Sequence, residues 1–405
     1  MQFNRRTFSA LALGTLVGCE ERSSGTASAP AAAPASAPAP ASASASAPPP
    51  AEYIPPLLRA HPGLAPRLPR LPLGLLPTPV ERATKLAAKA AIAGLHVKRD
   101  DLSGAAYGGG KTRKLEFFLA DARAKDTREI VTFGAFGSNQ AVATALYGAA
   151  QGFAVTLLLA PQTPSPYVRK NLLAARRAGA TIRVVHGGVA EAEALAKRAA
   201  KGAKGRAPYL VPPGGSSPLG NLAFVNAALE LAEQVGAGVC PLPDCIYLAM
   251  GTMGSAVGLA LGLELAGLRT EVVAVRTSSP ETSSEARFFA MAKQTVAFAR
   301  SLDPTFPEAR LGRARVRFST NHLGAGYGAP TRKGERAIAL AAETEGMTLE
   351  PTYTGKTLAA LLDDAERLAG KVVLFWNSHS SRPLLTEGVK SEDFPPVLRG
   401  IVAER

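Results

Sequence analysis

Lys111 stands directly behind three glycines in Tyr107-Gly108-Gly109-Gly110-Lys111-Thr112-Arg113-Lys114-Leu115-Glu116. The glycines clear side chains from in front of the amine, so that a bulky aldehyde can approach it. A shielded lysine amine condenses with a carbonyl to form a Schiff base. Lys114 follows one helical turn later, where a second cation can meet a phosphate. A Gly-rich turn entering a charged amphipathic helix explains the same residues without any chemistry. The choice between the two depends on the rest of the chain.

Two further loops carry suitable groups. Gly134-Ala135-Phe136-Gly137-Ser138-Asn139-Gln140 follows an apolar run and precedes a helical pattern. Amides and short polar side chains at a helix N-terminus suit an anion such as a carboxylate, although Ser and Asn also cap helices routinely. Met250-Gly251-Thr252-Met253-Gly254-Ser255 repeats the arrangement. Its glycines free backbone amides to surround a phosphate, and Thr252 and Ser255 add hydroxyl donors. The Gly-Lys-Ser/Thr ending of a Walker loop is absent. Tyr327 and Tyr353 sit in Gly-rich or polar loops that permit a substrate-facing role. An aldehyde that also carries a phosphate needs both the shielded lysine and the second cation, and pyridoxal phosphate is such a cofactor.

These groups need a scaffold, and the chain alternates apolar strands with amphipathic helices. Strands are expected at Glu129–Phe133, Ala154–Leu159, Thr181–Val185, Cys245–Met250, Glu271–Arg276 and Val372–Trp376. Helices are expected near Gln140–Ala150, Pro166–Ala178, Ala190–Lys201 and Ala256–Ala266. Such alternation predicts an α/β fold of parallel sheets with helices on both faces. Ligands in these folds sit at the carboxyl ends of strands, where the Gly134 and Gly251 loops fall.

The formal charge is +14, but the basic residues are scattered and none of their clusters interleaves with aromatics. A solvated basic surface is expected, with no nucleic-acid partner. The five histidines lack metal-ligand spacing, and no metal site is expected.

Residues 1–19 resemble a bacterial lipoprotein signal. Arg5 and Arg6 precede an apolar run too short to span a bilayer permanently, which ends in Leu16-Val17-Gly18-Cys19. Lipidation of Cys19 would anchor the exported protein to a membrane, in the periplasm or at the cell surface. Asn4-Arg5-Arg6-Thr7-Phe8 also resembles a twin-arginine export motif, and a plain secretory signal is the alternative. Residues 20–56, nearly all Ala, Pro and Ser between Ser23 and Ala51, are expected to form a tether. A head over 57–400 follows. Cys240 and Cys245 either pair across the Pro241–Asp244 turn or pack as small apolar residues.

The order of motifs then becomes recognisable. The Gly-Gly-Gly-Lys-Thr-Arg-Lys segment, Ser-Asn-Gln, Pro213-Gly214-Gly215-Ser216, the Gly251–Ser255 loop, Gly326-Tyr327-Gly328 and Tyr353-Thr354-Gly355-Lys356 occur in sequence. This series resembles the D-cysteine desulfhydrase / 1-aminocyclopropane-1-carboxylate deaminase family over roughly Leu71 to Leu385. The resemblance implies the two-domain, tryptophan-synthase-β-like fold type II, with a smaller domain over roughly 108–225 inserted in the larger one. It also implies pyridoxal 5′-phosphate as cofactor, a small amino acid as substrate and a homodimer.

Carried over by position, the resemblance makes Lys111 the Schiff-base lysine. Lys114 and the loop of Gly251, Thr252, Met253, Gly254 and Ser255 would hold the phosphate. Asn139 would bond the cofactor's ring oxygen, while Ser138, with Asn139 and Gln140, receives the substrate carboxylate. Tyr327 and Tyr353 would face the substrate. Thr354 stands where the deaminase branch has glutamate, which favours the desulfhydrase branch. Asn377-Ser378-His379-Ser380 aligns with a His-Thr-Gly-Gly segment. Ser378 keeps a hydroxyl for the pyridine nitrogen, but both glycines are lost, and Gly137 replaces a glutamine common in relatives.

Hydroxyls rather than an acid around the ring give a milder electron sink. That suits β-elimination from D-cysteine to pyruvate, ammonia and sulfide better than opening an unactivated cyclopropane. Cyclopropane deamination, another elimination or racemisation, and a non-catalytic amino-acid-binding or cofactor-binding surface lipoprotein remain the alternatives.

Overall fold

The computed structural model describes residues 53–403 except 188–190, 192, 193, 196, 197, 199–206, 313 and 314. The leader, Cys19, most of the tether and much of the helix expected near 190–201 lie outside the described residues.

Among the described residues ten strands form two sheets. In chain order they are β1 (Val80–Arg82), β2 (Gly94–Lys98), β3 (Glu129–Ala135), β4 (Ala154–Ala160), β5 (Thr181–Val184), β6 (Tyr209–Val211), β7 (Cys245–Met250), β8 (Glu271–Arg276), β9 (Val316–Ser319) and β10 (Val372–Trp376). The larger sheet runs β1-β2-β10-β7-β8-β9 and the smaller β5-β4-β3-β6. The smaller sheet is parallel throughout. The larger one is parallel except at one edge, where β1 pairs antiparallel with β2, so the expected parallel α/β fold holds with that one exception. The helix Thr84–Ala90 lies between these two strands, and the three-residue β1 pairs only at the sheet's edge. β1, β2, β6 and β9 escape a periodicity reading because they are short or mixed in polarity.

Both sheets are covered on both faces, and this explains their nearly continuous apolar runs. Along β7, Ile246 and Leu248 join one core, while Cys245 and Tyr247 face the other. On the smaller sheet Leu157 and Leu159 face one core, and Val131, Phe133 and Leu158 the opposite one. Phe394, Leu398 and Val402, from the far end of the chain, complete the first of these two cores.

The head begins earlier than the boundary expected at residue 57. The Tyr53 hydroxyl donates to Glu230 at 3.0 Å, and Pro56 is buried. Cys240 and Cys245 are both buried and free, so the disulfide alternative is not realised. Among the described residues no helix is long and apolar enough to cross a membrane.

Candidate active site

The helix Gly110–Ala124 carries Lys111 and Lys114 and is buried along most of its length. Its three leading glycines are demanded by close packing. A Cβ on Gly108 would lie 1.8 Å from the Asp101 carbonyl oxygen, and one on Gly110 would lie 2.6 Å from the Phe224 ring. Gly109 has φ +85°, and a Cβ there would meet the Ser378 carbonyl oxygen at 2.5 Å. The expectation that the glycines clear a path for an aldehyde is therefore corrected in its reason. Of the three, only Gly110 lines the cavity described next.

That cavity has a volume of about 340 Å³. It opens at the carboxyl ends of β3, β4, β7 and β8, between the two sheets, where Gly134, Ala160, Ala249 and Ser278 contribute to its wall. Lys111, Ser138, Asn139, Gln140, the whole Gly251–Ser255 loop, Tyr327, Tyr353, Thr354 and Ser378 all line it. Residues more than two hundred positions apart thus converge as the motif order implies.

Lys114 is not part of the wall. Its amine donates to the Gly214 carbonyl oxygen at 3.1 Å, the same oxygen that accepts from the Lys111 amine at 3.2 Å. Burial lowers the Lys111 pKa to about 8. Burial first, and then the neighbouring Lys111, hold Lys114 well below the ordinary lysine value. Among the described residues neither amine pairs with a carboxylate, so two buried amines share one neutral acceptor. A phosphate and an aldehyde would supply what is missing, the first as counter-charge and the second as a covalent partner. The residues present fit pyridoxal phosphate.

The phosphate-type loop is built to match. Met253 has φ +70°, unusual for a side chain of its size, and Gly254–Leu265 starts immediately after it. Ser216 Oγ accepts from the Gly254 amide at 3.1 Å and lies 2.7 Å from Thr252 Oγ1. Ser216 belongs to the Pro-Gly-Gly-Ser motif, which thus braces this loop and also supplies the carbonyl shared by the lysines.

Across the cavity, Ser138 caps the helix Asn139–Ala150 by accepting from the Ala141 amide at 3.2 Å. Asn139 Oδ1 accepts from the Tyr107 hydroxyl at 2.8 Å and also from the Tyr167 hydroxyl. With its oxygen occupied twice, Asn139 has its NH₂ group left to donate. The two tyrosines that orient it carried no sequence signal, because their role depends on a partner about thirty residues away. Gln140 donates to Thr144 Oγ1 at 2.9 Å, and its buried Oε1 has no partner.

The hydroxyls of Tyr327 and Tyr353 lie 2.5 Å apart. Burial pushes Tyr327 up to about 12, and burial with the facing Tyr327 raises Tyr353 well above its ordinary value. Both therefore stay protonated at neutral pH. Thr354 touches the cavity, but its hydroxyl is engaged with Glu350: it accepts from the Glu350 amide at 3.0 Å and lies 3.3 Å from Oε1. Glu350 is a wall residue that sequence reasoning missed. Its carboxylate caps the helix Thr354–Asp363, accepting from the amides of Thr352, Tyr353 and Thr354 at 2.7–2.8 Å. Burial outweighs these bonds and raises its pKa.

Fold, paired lysines and phosphate-type loop define a cofactor enzyme of the α/β class. Residues 71–378 match the pyridoxal-phosphate dependent enzyme family, and the chain belongs to it; its cofactor is pyridoxal phosphate. The chain is 34% identical over 320 residues to nocardicin C-9′ epimerase of Nocardia uniformis subsp. tsuyamanensis, covering 78% of this chain and 94% of that protein. Its identity to D-cysteine desulfhydrase of Salmonella choleraesuis is 34% over 304 residues, covering 73% and 88%. Among solved structures it is similar to an ACC deaminase homologue, with a TM-score of 0.68 at 28% identity over 81% of this chain and 95% of that one.

Proposed function

We propose that this enzyme is a lyase on small amino acids, with D-cysteine as the favoured substrate and pyruvate, ammonia and sulfide as products. The observation that carries this reading is the Lys111 amine, buried in a small cavity and held at a pKa of about 8. When bound, pyridoxal phosphate supplies the electron sink that makes an α-proton of the substrate acidic. Lys111 Nζ is the base that takes that proton, and its free-amine fraction grows as pH rises through about 8. The Gly251–Ser255 loop holds the phosphate with the buried Lys114 amine behind the wall as counter-charge, Asn139 orients the ring, Ser378 offers the pyridine nitrogen a hydroxyl, and Ser138 with Gln140 receives the substrate carboxylate. The Tyr327–Tyr353 pair keeps its protons and lines the cavity, which supports it as the donor to a departing sulfur as the C–S bond breaks. Water then releases ammonia and leaves the keto acid.

Comparing D-cysteine, L-cysteine, β-chloro-D-alanine and aminocyclopropane carboxylate with a keto-acid readout tests this reading. D-Cysteine and the chloro compound should turn over fastest. Turnover of the cyclopropane alone would make the enzyme a deaminase instead. A second reading is epimerisation, favoured by the similarity to nocardicin C-9′ epimerase. Deuterium from solvent entering the α-position of recovered, inverted amino acid, without keto acid, is its signature.

The same proposal includes the address of the enzyme. The Cys19 motif and the Ala/Pro/Ser segment behind it support an exported, lipid-anchored protein whose tether holds the head off the membrane. The head is read as a homodimer with its smaller domain near 108–225.

A further inference from the structure

The helix Asn139–Ala150 presents its N-terminus to the cavity through Ser138 and Asn139. The positive end of a helix dipole and its unpaired amides favour an anion, but every helix has such an end. A second, independent feature sits beside this one. His379 is only 5% exposed and lines the same cavity. Its Nδ1 is closed off from solvent without a partner, and among the described residues neither ring nitrogen makes a hydrogen bond. The ring centroid lies 5.9 Å from that of Tyr167, whose hydroxyl donates to Asn139, the first residue of the helix. His379 therefore belongs to the helix end of the cavity.

A buried polar group without a partner is destabilising, so its persistence beside a cavity points to a partner in the bound state. Burial, with Lys170 nearby, holds the imidazole down at a pKa of about 3. It is neutral at working pH and has one N–H to donate. Lys111 is the group in the wall that reacts with the aldehyde, and the Gly251–Ser255 loop meets the phosphate. What this corner lacks is the carboxylate of the amino acid.

We propose that His379 is a ligand of the substrate carboxylate, its ring N–H donating to the anion held at the N-terminus of Asn139–Ala150 beside Ser138. The proposal rests on the cavity being an amino-acid site and is independent of the reaction that follows. It predicts a preference for substrates with a free α-carboxylate over their amides and esters.

Spectral titration of the holoenzyme with glycine and with methylamine tests it, because the two amines differ by the carboxylate. His379→Phe keeps a ring without nitrogen, and His379→Ala removes the group. Each variant should bind glycine at least about tenfold more weakly, as expected for a lost hydrogen bond to a charged group, with methylamine and pyridoxal phosphate affinities within about twofold of wild type. Equal losses for glycine and methylamine, a fall in cofactor affinity, or unchanged glycine binding would each overturn it. Wild-type enzyme that answers methylamine but not glycine would instead overturn the amino-acid reading of the cavity.

Discussion

At the scale of residues the decisive arrangement is two buried amines on one carbonyl oxygen. Gly214 can satisfy one hydrogen of each, but it cannot neutralise either charge, so burial pushes both amines toward the free base. Below its folded pKa Lys111 is protonated and cannot attack an aldehyde; above it the amine is free. Uptake of pyridoxal phosphate by the apo-enzyme should therefore rise with pH through a midpoint of about 8. Borohydride reduction followed by peptide mass analysis should place the label on Lys111. A midpoint near the ordinary lysine value, or label on Lys114, would contradict this assignment. Lys111 was legible in the sequence because its neighbours are local: glycines before it and a cation one turn after. Glu350, Tyr107 and Tyr167 were not, since a carboxylate or phenol is marked only by what it touches. The three glycines mark the right position, but the reason for them is not local, because the backbones of Asp101 and Ser378 and the Phe224 ring that crowd them come from elsewhere in the chain.

At the scale of elements, the lysine helix is fixed by a charged network on its buried side. Arg113, between the two lysines, bonds Asp100 at 2.7 Å and Glu230 at 2.9 Å, and Lys98 meets the same Glu230 at 2.7 Å. The Trp376 indole N–H donates to Asp100 at 2.8 Å, which ties β10 to the network. These contacts join β2, the lysine helix, the helix Pro218–Gly236 and the end of β10. Strands and helices could be read from apolar periodicity, but nothing in that pattern indicates which buried charges will meet. Removing one member of a buried ion pair strands the others, so Arg113→Met should destabilise the enzyme by about 3–5 kcal/mol at pH 7 in urea unfolding. The acid side offers an independent check. Burial alone would raise the Glu230 carboxyl, but Arg113 and Lys98 together outweigh it and hold the pKa below its ordinary value. The resulting stabilisation is fully present above the unfolded carboxylate pKa of about 4.3 and is lost as pH falls through the lower folded value. Wild type should lose stability in that acid window, and Arg113→Met should lose less there. Equal acid sensitivity in the two would show that Glu230 does not depend on Arg113.

At the scale of the whole molecule, the chain crosses between the sheets several times, and its last segment binds them together. After β10 in the larger sheet, residues 377–402 pass the glycine loop, where Ser380 Oγ accepts from the Gly108 amide at 2.8 Å. They end as the helix Pro396–Val402 on the smaller sheet's core. There Phe394, Leu398 and Val402 are almost wholly buried, and Arg169 and Arg176 donate to the carbonyls of Val402 and Asp393 at 3.1 Å. A smaller domain read as a continuous insertion near 108–225 lacks these three side chains, because a parallel sheet recruits cover by proximity and not by order in the chain. Deleting residues 392–405 should cost on the order of 5 kcal/mol, since each buried side chain of this size contributes roughly 1.5–3 kcal/mol. The loss should be uneven. Amide exchange should accelerate first in β3, β4 and β5, whose core is uncovered, while β7 and β8 keep their protection because their cores contain none of the deleted residues. Lys111 stands on a helix shared by both layers, so cofactor affinity should fall with the smaller sheet's protection. Uniform acceleration across both sheets would mean that they unfold as one cooperative unit, and unchanged exchange would mean that the terminal helix is not needed by the core it covers.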